Sequence, residues 1–193
     1  MREVKSKIKE IEAELSKWDK GLSGECLVAS ILEQQLPDSY YVINDLVIRA
    51  HNRRVQIDHV LVGPTGVVCI ETKNITGNFF YDAEGWLRYP AHTIQGIPVR
   101  NYRREVIPSP QLQSLEQAQA TYYYLNGAGI RVNVYNVVVL TNHAECRWSS
   151  PGQGESEVIY VHELPGYIME LPQSGCSPAL AQKIITTLLP VKC

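Results

Sequence analysis

The sequence predicts an α/β or α+β fold, in which helices flank a central mixed β-sheet and an N-terminal helical arm precedes the core. The predicted elements run in the order helix, strands, helix, strand, which is typical of a mixed sheet covered by helices. Apolar segments suited to strands occur at 40–49, 55–73 and 132–142. The chain has 193 residues, 45% of them hydrophobic, and this is enough for a sizeable core.

Composition and charge limit the classes of partner. The formal net charge of -2 gives no global basic field, so a nucleic-acid partner requires a local basic patch or bound cations. The five cysteines are widely spaced, and the charged start of the chain does not resemble a secretory signal. We therefore expect reduced thiols in a cytoplasmic protein. No apolar run approaches the roughly 20 residues of a membrane-spanning helix, so we expect no membrane partner.

An N-terminal helix is predicted over residues 2–19, and residues 1–20 are expected to form an arm. Its apolar residues are spaced four, three, four and three apart, which is the pattern of a heptad seam between charged faces. The seam consists of Val4, Ile8, Ile11, Leu15 and Trp18. Two alternatives remain open at this point: the seam pairs with a second copy in a homodimer, or the arm packs on its own domain.

The remaining elements follow from periodicity and from turn residues. A main domain is expected over 21–171, and a C-terminal helix over 172–193 packs on it. A second helix is predicted at 22–36, a hairpin within 78–90 turns at 82–85, and 91–109 is expected to be a loop or insertion. A helix at 110–126, a buried strand at 132–142, a loop at 148–156, a short strand at 156–164 and a helix at 178–189 complete the chain.

Four polar residues interrupt the hairpin VQIDHVLVGPTGVVCIETK. If Gly63-Pro64-Thr65-Gly66 is the turn, Val62 pairs with Val67 and Val60 pairs with Cys69. The same register opposes the two acids on one face and continues to a second polar pair. The resulting polar square consists of Gln56, Asp58, Glu71 and Lys73.

The chemistry of this square favours a metal site. Two opposed carboxylates repel each other, and a divalent cation reverses the sign of that interaction. Oxygen ligands suit Mg²⁺ or Mn²⁺. Lys73 lies two residues beyond Glu71 on the same face, where it can stabilise negative charge or orient a water. The alternative is that these side chains extend into solvent, with Lys73 forming a surface ion pair with Glu71.

Glu25 strengthens the hypothesis of a metal site. On a helical wheel it lies on the arc of Leu22, Val28, Ala29, Leu32 and Leu36, and therefore points inward from the first turn of the second helix. An acid at a helix start is favourable for the helix dipole alone. A charge on a buried arc needs a partner, however, and a shared cation would provide one.

These residues resemble a known family. GLSGE on a helix, then QIDHVLVGPTGVVCIETKNITG, then SPQLQ opening a later helix, is similar to the NERD (nuclease-related) domain. That domain resembles the restriction-endonuclease-like PD-(D/E)xK superfamily, whose core motif is an acid, a variable gap, and then Asp/Glu-x-Lys. The resemblance covers residues 21 to about 125 and continues loosely through the 132–141 strand.

The resemblance implies a role for each matching residue. Asp58, Glu71 and the carbonyl of Thr72 would be metal ligands, and Lys73 the catalytic lysine. Glu25 would be the first-helix acid and Gln56 an accessory polar group. Gln113 matches a glutamine that follows Asn-Pro in the family, although Ser109 replaces that asparagine here, and only the resemblance supports this assignment.

The implied activity is hydrolysis of phosphodiester bonds with Mg²⁺ or Mn²⁺ as cofactor and nucleic acid as substrate, DNA ahead of RNA. The alternative is a catalytically weak or inactive module of the same fold that binds nucleic acid or a protein. The arginines expected to follow a phosphate backbone are Arg53, Arg54, Arg100, Arg103 and Arg104. His59 alternates to the opposite face from Asp58 and is expected to be a hydrogen-bonded structural histidine rather than a ligand.

Overall fold

The structure of the protein is a computed structural model. The model describes residues 2–50, 53–82, 85–89, 93–94, 97–98, 105–142, 146–149 and 156–189. The helices are α1 (Arg2–Gln35), α2 (Pro110–Gly127), α3 (Leu164–Glu170) and α4 (Pro178–Leu188). The strands are β1 (Tyr41–Ala50), β2 (Arg53–Gly63), β3 (Gly66–Lys73), β4 (Gly77–Asp82), β5 (Gly85–Tyr89), β6 (Thr93–Ile94), β7 (Ile97–Pro98), β8 (Glu105–Ile107), β9 (Val134–Leu140), β10 (Cys146–Ser149) and β11 (Glu157–Tyr160).

A mixed five-stranded sheet in the order β1-β2-β3-β9-β11 forms the centre. The strands β1, β2 and β3 are antiparallel neighbours, whereas β9 runs parallel to both β3 and β11. A second sheet has the order β10-β4-β5-β8, and β6 pairs with β7. The helices and the mixed sheet confirm the predicted α+β class.

Each face of the central sheet has its own hydrophobic core. Apolar residues of α2 and α4 pack on one face, where Val60 and Cys69 lie. Val28 and Leu32 of α1, with Ile168 of α3, pack on the other face against Leu61 and its neighbours. The sheet is therefore covered on both sides, as its almost continuous apolar strands require.

The β2–β3 turn forms as predicted. Val62 pairs with Val67 and Val60 pairs with Cys69. Gly66 has a φ of 110°, and a Cβ placed there would lie 2.6 Å from the carbonyl oxygen of Asn133. The position therefore needs glycine for both conformation and space. This turn fixes the register on which the placement of the acids depends.

The N-terminal region differs from its prediction. One continuous helix of 34 residues replaces the two expected at 2–19 and 22–36. Gly21 lies inside this helix, where its weak helix propensity costs only about 1 kcal/mol. The stripe from Val4 to Trp18 is exposed, from 49% at Ile8 to 78% at Trp18, so it does not pack on its own domain. Among the described residues, no helix is both long enough and apolar enough to cross a bilayer.

Three later segments also differ in part. The expected loop at 91–109 contains the short strands β6, β7 and β8. Strand β10 extends into the loop expected at 148–156. The expected strand at 156–164 ends at Tyr160, because a 3-10 turn at Val161–Glu163 leads directly into α3. Strands β8 and β10 pair with β5 and β4, which are distant along the chain, and local periodicity does not reveal such pairing.

Two glycines of α1 make opposite predictions for substitution by alanine. A Cβ at Gly24 would lie 2.9 Å from Asn74 Cβ and 3.1 Å from Thr141 Oγ1, so the helix would have to move off the sheet. We expect Gly24→Ala to lower the free energy of unfolding by about 1–3 kcal/mol, as overpacking does. A Cβ at Gly21 meets nothing within 4 Å, and Gly21→Ala should raise the free energy of unfolding by about 0.5–1 kcal/mol.

Urea unfolding of the two variants measures both changes under the same conditions. Equal effects of the two substitutions would contradict the close contact between α1 and the sheet at Gly24.

Candidate active site

A polar cleft of about 620 Å³ collects the predicted site residues. Its walls come from α1, β2, β3, the segment after β3, and α2. The seven predicted residues that line it are Glu25, Gln56, Asp58, Glu71, Thr72, Lys73 and Gln113. The structure thus brings together residues separated by up to 88 positions in the sequence (113 minus 25).

Glu71 is the most deeply buried acid of the cleft, at 1% exposure. Its Oε1 accepts a hydrogen bond from Lys73 Nζ, and the two side chains form an ion pair. Its Oε2 accepts from Gln117 Nε2 at 2.6 Å. Gln117 Nε2 also donates to the carbonyl oxygen of Gln56 at 3.0 Å, and therefore ties Glu71 to the neighbouring strand. Both oxygens of the acid have partners, as burial of a carboxylate requires.

Asp58 lines the same cleft as Glu71, although the described β2–β3 pairs end at His59–Ile70, one position before the expected Asp58–Glu71 pair. Its Oδ2 accepts a hydrogen bond from the backbone N–H of Thr72 at 2.8 Å. Burial raises the pKa of Asp58 above its ordinary value, against the lowering effects of the Thr72 N–H and Lys73. Burial likewise raises the pKa of Glu71, and the nearby charge of Asp58 raises it further. Lys73 alone does not compensate the two acids, so they are short of positive charge.

Gln56 does not stand opposite Lys73 in a β-ladder. The described pairs of β2 and β3 end at His59–Ile70. Instead, Gln56 Nε2 donates to Asp45 Oδ1 of β1 at 2.8 Å. The polar square therefore has a different geometry from the one expected, although all four of its residues line the cleft.

Gln113, placed by resemblance alone, lies at the mouth of the cleft. Its Oε1 accepts from Lys73 Nζ at 3.3 Å. Ser109, which stands where the family has asparagine, is the N-cap of α2 and accepts from the N–H of Leu112. The serine thus fulfils a capping role that asparagine also performs well.

Glu25 enters the cleft from α1, one residue after the close contact at Gly24. Its side chain is partly buried, and burial raises its pKa, followed by the charges of Asp58 and Asp45. The raised pKa shows that Glu25 shares the electrostatic environment of the two strand acids. The helical wheel placed it correctly on the inward face, but Leu22 of the same predicted arc is exposed.

The donor set fits a hard divalent cation. Asp58 and Glu71 offer carboxylate oxygens, and the Thr72 carbonyl is the expected third donor. Within the described residues, no three side chains of His, Cys, Asp or Glu group closely enough to hold a metal by themselves. Two carboxylates with further positions left to water and phosphate match the usual binding of Mg²⁺. Burial raises the pKa of both acids, and a bound cation would favour their ionised forms.

Four contributors to the cleft were not predicted. Gln117 lies one helical turn after Gln113 and holds Glu71, so a second glutamine at i+4 on α2 was the available signal. Asn74 Nδ2 donates to the carbonyl oxygen of Lys20 at 2.8 Å, which ties the segment after β3 to α1. Lys17 and Lys20 line the cleft because α1 continues without a break past Gly21.

None of the five predicted arginines is among the described residues that line the cleft. Arg53 and Arg54 are exposed at the start of β2, and they are absent from the described residues that line the cleft. Arg100, Arg103 and Arg104 lie outside the described residues. The basic side chains found in the described part of the cleft are Lys17, Lys20 and Lys73.

His59 is a structural histidine, as predicted. It is 1% exposed, and its Nδ1 lies 2.8 Å from Asn44 Oδ1. Burial lowers its pKa to about 4, so the ring is neutral near pH 7. Asn44 Oδ1 is an acceptor, and the ring proton is therefore placed on Nδ1. Nε2 has no hydrogen-bond partner among the described residues.

Comparisons with known proteins agree with this geometry. The family model of the nuclease-related domain, NERD, matches residues 20–141, more than half of the chain. An uncharacterized protein of Bacillus anthracis is 36% identical over 80 residues, which span 41% of this chain and 37% of that protein. The chain thus covers well under half of that relative. No solved structure matches significantly. The match to the family model covers α1 from Lys20, the acidic hairpin, α2 and β9, and the chain belongs to the nuclease-related (NERD) domain family.

Proposed function

We propose that this protein is a metal-dependent nuclease that hydrolyses phosphodiester bonds. The proposal depends on buried Glu71 and partly buried Asp58, which lie with Lys73 in one open polar cleft. Membership of a nuclease-related family suggests nucleic acid as the substrate. DNA is the expected substrate ahead of RNA, because the resemblance is to restriction-endonuclease-like proteins.

Asp58, Glu71 and the Thr72 carbonyl are the proposed ligands of Mg²⁺ or Mn²⁺. When bound, the cation supplies the positive charge that polarises a phosphodiester and activates a water. The protein positions the ligands beforehand. The Thr72 N–H holds Asp58, and Gln117 holds Glu71. Such support keeps carboxylates in place for a metal and costs no reorganisation at the moment of reaction.

Lys73 is the proposed catalytic lysine. Its Nζ contacts Glu71 Oε1 and lies 3.3 Å from Gln113 Oε1, so it is directed into the cleft between a ligand and the opposite wall. From this position the ammonium can stabilise charge on a phosphate or orient the attacking water. Glu25 and Gln113 are proposed to contact that water or the substrate from the two helices.

Lys17 and Lys20 extend the positive charge along the α1 wall of the cleft. Two lysines beside an acidic centre suit a phosphate backbone that passes through the cleft. The five predicted arginines remain proposed contacts for more distant phosphates. The protein is proposed to act in the cytoplasm, as its widely spaced cysteines suggest.

Removal of the Lys73 ammonium tests its proposed role in cleavage. We expect Lys73→Ala to reduce the metal-dependent cleavage rate by at least 100-fold, within the range found on removal of one group that stabilises transition-state charge. The assay follows cleavage of single- and double-stranded DNA and RNA with Mn²⁺. Lys183→Ala, which removes an exposed lysine of α4, is the matched control and should keep the wild-type rate.

Two results would contradict this assignment. Undiminished cleavage by Lys73→Ala would remove the lysine from the mechanism. Nucleic acid that binds the wild type but is never cleaved would identify the alternative function, a binding module that retains the nuclease fold.

Asp58 and Glu71 link the stability of the protein to pH and to metal binding. Because the pKa values of Asp58 and Glu71 are raised in the folded state, the folded state binds more protons than the unfolded state. Relative to Asp58→Asn/Glu71→Gln, the free energy of unfolding of the metal-free wild type should therefore increase as the pH falls from 7 through the raised pKa values. Buried His59, whose pKa is lowered, acts in the opposite direction in both proteins and cancels from this difference.

Chemical unfolding at several pH values, with and without Mn²⁺, tests the same site. At 100 times the dissociation constant, Mn²⁺ should stabilise the wild type by about 2.7 kcal/mol and leave the double variant unchanged. Calorimetric titration measures the binding directly. Equal Mn²⁺ binding by the wild type and the double variant would place the metal elsewhere.

A homodimer through α1 is the last part of the proposal. Four of the five seam residues, Val4, Ile8, Ile11 and Leu15, form the proposed pairing surface: they are exposed and keep heptad spacing on a continuous helix. Trp18, the fifth, is left out of the pairing surface because it lines a groove beside the cleft. Exposed apolar seams of this kind are buried when two helices pair. These four residues do not line the polar cleft, so pairing of two helices through them leaves the cleft open.

A charge placed in the α1 seam tests this pairing. We expect Leu15→Glu to shift the protein to monomer, because a charge in the seam would be buried without a partner. Sedimentation velocity over a concentration series gives the association state. Ala13→Glu introduces the same charge on another face of the helix and should leave association unchanged. A wild type that is monomeric throughout the series would end the proposal of a homodimer.

A further inference from the structure

A second groove adjoins the polar cleft and has a different character. It has a volume of about 500 Å³ and lies between α1 and the β1–β2 pair. It shares Gly21, Glu25, Gln56 and Asp58 with the polar cleft, so the two spaces lie on either side of a common wall. A substrate that occupies the cleft therefore has a neighbouring space within reach.

One side of the groove is apolar and aromatic. Trp18 and Leu22 of α1 line it and are 78% and 61% exposed, and Cys26 and Ala29 of the same helix line it too. An exposed indole beside a nuclease site offers a stacking surface for a nucleobase, and every base has a π-face that suits it. Stacking of this kind gives affinity without selecting a sequence.

The polar side of the groove carries acceptors. Asp45 has a φ of 51°, which interrupts the alternation of β1 between the buried Ile43 and Leu46. As a result the consecutive residues Asn44 and Asp45 both line the groove. His59 lines it as well, but its Nε2 is buried, so the exposed carboxylate of Asp45 is the acceptor that a ligand can reach. The groove therefore favours a ligand that presents N–H donors.

The charges of the two spaces decide which part of a substrate each accepts. The described residues that line the groove include Asp19, Glu25, Asp45 and Asp58, and they include no lysine or arginine. The polar cleft has Lys17, Lys20 and Lys73. A phosphate is therefore repelled from the groove and accepted in the cleft, whereas an uncharged base with an amino edge is suited to the groove.

We propose that this groove binds one nucleobase next to the scissile phosphate, stacked on Trp18, with preference for a base that carries an exocyclic amino group. Asp45 is the proposed acceptor for the base edge, in the way that carboxylates accept from the N4 amino group of cytosine. The inference rests on the proposed function for the identity of the substrate. It assigns to the α1 groove a role in base selection that the metal and Lys73 do not have.

Cytidine and uridine are a matched pair of probes, because cytosine presents an N4 amino donor beside the N3 acceptor, whereas uracil presents an O4 acceptor beside an N3–H donor. Both are titrated into the metal-free protein, and tryptophan fluorescence and calorimetry are followed. We expect cytidine to bind at least fivefold more tightly than uridine. Trp18→Ala should abolish binding of both, whereas Tyr122→Ala, which removes another exposed aromatic side chain on α2, should change neither.

Asp45→Asn tests the acceptor, and asparagine tolerates the left-handed conformation at this position. The preference for cytidine should fall towards onefold in this variant while stacking on Trp18 remains. Equal affinities of the wild type for cytidine and uridine would overturn the proposal. So would binding that survives Trp18→Ala, or no saturable binding of either nucleoside at 20 mM.

The assay separates this inference from the proposed nuclease activity. Lys73 does not line the groove, so Lys73→Ala should bind cytidine as the wild type does although cleavage is lost. Wild-type protein that cleaves with Mn²⁺ but discriminates neither nucleoside would refute the base groove alone. Wild-type protein that discriminates the nucleosides but never cleaves would refute the nuclease proposal alone.

Discussion

The burial of Glu71 against the N-terminal half of α2 is the interaction on which the rest of the site depends. A carboxylate at 1% exposure requires partners for both oxygens, and Lys73 and Gln117 provide them. Gln117 reaches Glu71 only because α2 packs on the face of the sheet where Cys69 and Val60 lie. Asp58 is held from the main chain by Thr72, so neighbouring strand, helix and backbone all converge on two acids.

Helix α1 closes the cleft because it approaches the sheet at a glycine. Gly24 faces Asn74 and Thr141, at the carboxyl ends of β3 and β9, and this proximity sets the depth at which Glu25 enters. The bond from Asn74 to the carbonyl of Lys20 holds the preceding turn of the helix. Small changes in this contact would move Glu25 relative to Asp58, although neither residue belongs to the contact itself.

Local patterns account for much of the fold and for most of the site. The turn residues from Gly63 to Gly66 predict the pairs Val62–Val67 and Val60–Cys69, which form, but the predicted pair Asp58–Glu71 is not among the described ladder pairs, which end at His59–Ile70. What escaped prediction depends on contacts over long separations. Gln117 and Glu71 are 46 residues apart, and the left-handed Asp45 has no signature in the alternation of β1. The sequence predicts two helices at 2–19 and 22–36, because local propensity does not include the packing of Val28 and Leu32. That packing stabilises the one continuous helix.

The continuity of α1 has a mechanical consequence. Every described side chain of the helix before Lys17 is exposed, so roughly 20 Å of rigid rod extends from the point where the helix meets the sheet. A load on its outer end acts as a torque about the contact at Gly24. Glu25 and Trp18 lie on opposite sides of Gly24 along the helix. A tilt of α1 about this contact therefore moves the two residues in opposite directions.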